Sequence, residues 1–205
     1  FMREILKNVK QKLVDKYLEN NTSKSVKKFK PRIKARIRKN KHLINKNISN
    51  LFDWVKGAEL IELKNCNTDE DPVRPELDNI FRRSYGRKIF GVKYGGEIHA
   101  VMCFAYTNQI PKNVDELDKF SHDAYLQSAQ RDQNIGQIAI AYTVWSKKKG
   151  GGKLIVKEVF KKIKRSNHLN RLVTLSPLTE MATKFHTRNG AKLLQINETT
   201  QNFEY

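Results

Sequence analysis

Residues 137–145 read Gln-Ile-Ala-Ile-Ala-Tyr-Thr-Val-Trp, a segment without a charge on either face. Strand alternation puts Ile138, Ile140, Tyr142 and Val144 on one side, and Ala139, Ala141, Thr143 and Trp145 on the other. A strand that is apolar on both faces has to be covered on both, which points to a sheet flanked by helices. The next residues are Lys147-Lys148-Lys149-Gly150-Gly151-Gly152-Lys153, and the pattern then predicts an amphipathic helix over 152–165. Ile155, Val159 and Ile163, flanked by Val156 and Phe160, form the stripe that packs on the sheet, while Lys157, Glu158, Lys161, Lys162, Lys164 and Arg165 face outward. The lysines near the helix end complement the negative end of its dipole and need no ligand to explain them.

The glycine loop has two readings. Consecutive glycines suit a tight strand-to-helix turn, and they also let backbone N–H groups approach an anion at the positive end of a helix. Lysines are locally unfavourable at that end, so Lys147, Lys148, Lys149 and Lys153 are better accounted for if an anion neutralises them. Two familiar phosphate loops are excluded. Gly152-Lys153 is followed by Leu154 where a P-loop needs Ser or Thr, and Ile155 stands where a dinucleotide fingerprint needs its third glycine.

The stretch resembles the pyrophosphate loop of the GNAT acyl-CoA N-acyltransferase superfamily, in which Gln or Arg is followed by two residues, Gly, one residue, and Gly or Ala. Lys147, Gly150 and Gly152 fill that frame, with Lys147 a departure that keeps a donor and a positive charge. A second segment repeats the likeness. After the strand-like residues 171–176 come Thr179, Ala182, Phe185, His186, Gly190 and Ala191, in the register of the family's Asn-x-x-Ala-x-x-Leu/Phe-Tyr-x-x-x-Gly-Phe helix. Thr179 replaces Asn, His186 replaces Tyr and Ala191 replaces Phe, so the frame is kept better than the chemistry.

The resemblance implies acetyl-CoA or another acyl-CoA as cosubstrate and transfer of the acyl group to an amine of a protein, nucleic acid or small molecule. It implies that Tyr142, Thr143 and Val144 meet the pantetheine arm through their backbone, and that Lys147, Lys149, Gly150, Gly151, Gly152 and Lys153 meet the phosphates. Thr179 would contact the cofactor or cap the late helix. His186, at the family's tyrosine, would be the general acid for the leaving thiolate. No acid lies on the central strand to act as base. Glu97, His99 and Asp132 are near enough in order to be considered, each with an ordinary surface explanation.

The expected fold class is α/β: a GNAT-like central mixed sheet flanked by helices, formed by residues 51–205. Its order is a strand over 58–64, a helix over 75–86, a strand over 88–94, a Gly95-Gly96 hairpin turn into a strand over 97–107, a polar region with helical patches over 111–132, and then the segments above. The closing segment 197–205, which ends in Asn202-Phe203-Glu204-Tyr205, makes a final strand or an ordered tail. Residues 1–50 form a separate basic, partly helical extension, with 16 Lys and Arg against 3 acids, so most of the chain's formal charge of +19 lies there. Ile5, Leu6, Val9, Leu13 and Tyr17 recur at helical spacing. Lys27, Lys28, Lys30, Arg32, Lys34, Arg36, Arg38 and Lys39 form a one-sign run suited to nucleic acid or another polyanion, or to a solvated helix face.

Cys66 and Cys103 are too few for a disulfide framework and show no metal-site spacing, so no metal is expected and a cytoplasmic setting is the default. No apolar run approaches a membrane span. Residues 142–205 are also similar to GNAT-like proteins of tailed phages. That likeness brings two alternatives, a DNA-modification enzyme of the Mom type and a non-catalytic nucleic-acid-binding or virion protein that keeps the fold, with phage particle components as partners and the host cytoplasm or the virion as location.

Overall fold

Gly95 and Gly96 take φ values of 59° and 88°, the left-handed pair that a two-residue hairpin turn requires. They join β2 (Lys88–Tyr94) to β3 (Glu97–Thr107), and β1 (Glu59–Leu63) pairs antiparallel with the outer side of β2. This computed structural model describes residue 54, residues 56–131 and residues 134–205, which belong to one compact unit, Trp54–Tyr205. The basic run at 27–39 and Asp132 lie outside the described residues.

The central strand is β4 (Ile138–Ser146), antiparallel to β3 and parallel to β5 (Arg171–Thr174). Helix α1 (Val114–Arg131) precedes β4, and α2 (Gly151–Lys164) connects it to β5. The chain then forms β6 (Ser176–Pro177), α3 (Glu180–Arg188), β7 (Lys192–Ile196) and β8 (Thr200–Glu204). The sheet order is β1-β2-β3-β4-β5-β8-β6, with β7 paired to β8. The closing segment is therefore a strand inserted beside β5.

Both faces of β4 are covered, as its composition requires. On one side Ala139 and Ala141 pack with Met102, Phe104, Ile155 and Val159 beneath α2. On the other Ile138, Ile140 and Tyr142 pack with Cys103, Val173 and Leu117 of α1. Ile155, Val159 and Ile163 are all buried, so the α2 stripe is the one its spacing predicts.

The helix expected over 75–86 is absent. A short 3-10 segment, Phe81–Gly86, stands in its place, with Ser84 and Tyr85 outside helical geometry. Arg82 explains the difference: its Nε donates to the Leu77 carbonyl and its Nη2 to the Arg74 carbonyl, taking acceptors that a helix would have used.

Candidate functional site

β4 and β5 run together only from Ile138–Ala141 against Arg171–Thr174. Leu175 N–H makes the last link, to the Ala141 carbonyl at 2.9 Å. Beyond it the strands separate. Pairing of β3 with β4 slips at the same level: Cys103 faces Thr143 and Phe104 faces Ala141, leaving Tyr142 as the extra residue of a bulge. Arg74 fills the base of the fork, with Nε donating to the Tyr142 carbonyl at 2.9 Å and Nη2 to the Leu175 carbonyl at 3.0 Å.

The bulge alters the expected facing. Trp145 joins Tyr142 in the cluster on the α1 side, while Val144 packs toward the α2 side and stays partly exposed. Thr143 is buried, and its hydroxyl donates to the Asp71 carboxylate at 2.7 and 2.8 Å to the two oxygens. Its side chain therefore belongs to a buried network. Asp71 also pairs with Arg82 at 2.9 Å, both side chains fully buried, and accepts from the Val73 and Arg74 amides. Sequence patterning gave no sign of this network, because its members come from separate segments.

A cavity of about 370 Å³ occupies the opened fork, walled by Tyr142, Val144 and Ser146 of β4, by Ala182 and Phe185 of α3, and by Tyr205. At Ser146, Gly152, Met181 and Phe185 it meets a more open cleft near the start of α2, lined by Lys153, Arg188 and the Lys184–Glu180 ion pair. Gly150 caps α2 with φ 87°, and a Cβ at Gly152 would lie 3.1 Å from the Phe185 ring. Close packing against Phe185 thus favours glycine at 152, and the positive φ favours it at 150. The Gly152 and Lys153 amides belong to the first turn, whose N–H groups lack intrahelical acceptors.

The four lysines do not converge on this place. Lys153 lies on the cleft and Lys149 is exposed, but Lys147 pairs with Glu70 at 2.6 Å and Lys148 lies 4.7 Å from the ring centres of both Trp54 and Tyr94. Cation–π contact turns Lys148 to those rings, whereas Lys147 stays on the wall of the fork cavity, paired with Glu70.

Thr179 is the N-cap of α3, accepting from the Ala182 amide at 3.2 Å, and it also borders the cavity. His186 is on the cavity wall but only 5% exposed. Its Nε2 lies 2.7 Å from Ser176 Oγ and its Nδ1 2.8 Å from the Tyr205 hydroxyl, with the ring stacked on Phe203. The two contacts give the neutral ring one donor and one acceptor role, set by how the hydroxyl hydrogens of Ser176 and Tyr205 are turned. Burial lowers the His186 pKa to about 4, so the ring is neutral near pH 7 and carries no imidazolium proton. Burial raises that of Tyr205. Ser176 and Tyr205 complete this chain of three, and only their contacts with His186 reveal it.

Of the bases considered, Glu97 is exposed, and His99 binds the Tyr94 carbonyl through Nε2 at 3.1 Å beside a separate cavity. Among the described residues no cluster of three or more His, Cys, Asp or Glu could hold a metal, and no helix is long and apolar enough to cross a membrane.

No family model matches the chain, and no curated protein matches it in sequence. Solved structures do match in fold. The GNAT-like decarboxylase GphF, in complex with isobutyryl-CoA, superposes with a TM-score of 0.56 at 10% identity, over 72% of this chain and 98% of that one. The fold is GNAT-like. The loading GNATL domain of CurA from Lyngbya majuscula gives a TM-score of 0.51 at 13% identity, over 72% of this chain and 96% of that one. Malonyl-CoA decarboxylase from Cupriavidus metallidurans matches 69% of this chain at 20% identity, with a TM-score of 0.43, and the match spans only 37% of that longer protein.

Proposed function

We propose that residues 54–205 form an acyl-CoA-dependent acyltransferase that moves an acyl group, most simply acetyl, to an amine. The observation that carries this reading is the fork between β4 and β5, whose cavity of about 370 Å³ runs to the amide end of α2 and the cleft that holds Lys153 and Arg188 beside the Lys184–Glu180 pair. Such a path suits a long, narrow thiol with phosphates at its far end. The pantetheine arm would lie along Val144–Ser146, and the pyrophosphate would meet the Gly152 and Lys153 amides.

In this reading the amine attacks the thioester carbonyl, the C–S bond breaks, and the leaving sulfur takes a proton from the Tyr205–His186–Ser176 chain, which the proton released by the acylated amine then replaces. Each hydroxyl can donate and accept, so a neutral imidazole relays a proton between them without acquiring net charge. His186 thereby acts within the relay, and Tyr205 or Ser176 presents the proton.

A second reading, decarboxylation of a β-carboxyacyl-CoA, is favoured by one observation. The cavity has proton donors, yet its sole acidic lining residue among those described, Glu70, is already paired with Lys147. Loss of CO₂ from such a thioester needs a proton donor for the resulting enolate and no base for an amine. The fold neighbour GphF is itself a GNAT-like decarboxylase. Incubation with acetyl-CoA and a panel of amines, with free thiol followed over time, should give amine-dependent release. CO₂ from malonyl-CoA without thiol release would establish the second reading instead, and neither product would contradict both.

The basic run at 27–39 we assign to a polyanion. Its one-sign charge supports that assignment, with binding that weakens steeply as salt rises.

A further inference from the structure

Glu70 and Lys147 stand where two cavities meet. Together with Trp145 they line both the fork cavity and a second, smaller one of about 170 Å³ bordered by Asn65, Cys66 and His99. Glu70 is the sole acidic side chain among the described residues lining either cavity. Its Oε1 receives both the Lys147 ammonium at 2.6 Å and the Asn67 amide at 3.2 Å, whereas Oε2 has no donor among the described residues. The pair is open to water, with side-chain exposures of 55% for Lys147 and 34% for Glu70. Ion pairs of that kind contribute about 0–1 kcal/mol and exchange readily.

Lys147 also begins the loop that leads to the amide end of α2. Lys147 and Gly152 line the same fork cavity. We propose that Lys147 couples the two cavities: cofactor phosphate draws it from Glu70, and the freed carboxylate then holds the ammonium of the acyl acceptor, a small primary amine, in the second cavity. The inference rests on the acyl-CoA reading and adds the acceptor class, its recognition residue and an order of binding. Linkage makes the coupling reciprocal, so a cation that occupies Glu70 must tighten cofactor binding by the factor that cofactor tightens the cation.

The test is calorimetric titration of the full chain with CoA, using the wild type, Glu70→Gln and Lys147→Met, with and without ethylammonium chloride against matched sodium chloride. Glu70→Gln keeps the Asn67 hydrogen bond and releases Lys147, so CoA should bind about two- to fivefold more tightly than to the wild type. Lys147→Met should bind CoA more weakly. Ethylammonium should tighten CoA binding to the wild type and leave Glu70→Gln unchanged. Equal CoA affinity in wild type and Glu70→Gln overturns this coupling alone. No CoA binding to any of the three overturns the acyl-CoA reading and the coupling with it.

Discussion

Arg74 donates to the carbonyl of Tyr142 at 2.9 Å, at the level where β4 leaves β5. The same guanidinium reaches the Leu175 carbonyl on the other branch, so one side chain satisfies two acceptors that strand separation would otherwise leave buried and unpaired. Arg74→Leu should therefore destabilise the protein by about 2–5 kcal/mol, read from the urea midpoint. An unchanged midpoint would show that the fork holds its shape without this bridge.

Asp71 and Arg82 form a fully buried ion pair, and Asp71 also accepts from Thr143. Removing one charge leaves the other buried, so Asp71→Asn should cost about 3–5 kcal/mol. The Lys88–Glu62 pair, exposed at 41% and 52%, provides the contrast. Glu62→Gln should change stability by less than about 1 kcal/mol. Equal losses in the two variants would contradict the distinction between buried and surface pairs.

Acid should act through His186. Its folded pKa of about 4 lies below the ordinary imidazole value of about 6.5, so the unfolded chain binds its proton first as pH falls. The stabilisation is fully present above about 6.5 and is lost as pH drops toward 4, a total of about 3 kcal/mol. Melting temperature measured from pH 7.5 to 4 should fall more steeply in the wild type than in His186→Gln. Parallel slopes would count against a buried neutral imidazole.

The two thiols should differ in reactivity. Contact with the Cys103 thiol lowers the Cys66 pKa to about 7, whereas burial raises that of Cys103. Iodoacetamide at pH 7.5 should label Cys66 and spare Cys103 in peptide mass spectra of the folded protein. Preferential labelling of Cys103 would reverse the assignment.

How much of this was readable in the sequence depends on how local each feature is. The strand–glycine–helix unit at 138–164 follows from neighbours in the chain, and its apolar stripe and glycine turn appear as expected. Helix α1 is less legible because Leu117, Ser121, Ala124 and Ser128 make its buried face, and small polar residues blur the helical period. A local signal was nevertheless present. Asn113 accepts from the Glu116 amide while the Glu116 side chain reaches back to the Lys112 amide, two side-chain bonds that mark a helix start. The misread helix over 75–86 and the bulge at Tyr142 depend on partners brought by other segments. So does the relay, since Tyr205 and Ser176 meet His186 only when β8 is inserted beside β5 and β6.

The central claim is that the fork between β4 and β5 takes an acyl-CoA. Titration of the pure full chain with acetyl-CoA in a calorimeter tests it most directly, with Ala182→Trp as a variant that fills the cavity wall and with melting curves to confirm that the variant folds. The account predicts saturable binding of one acetyl-CoA per chain, lost in a folded Ala182→Trp. Absence of binding by the wild type at millimolar acetyl-CoA would contradict it.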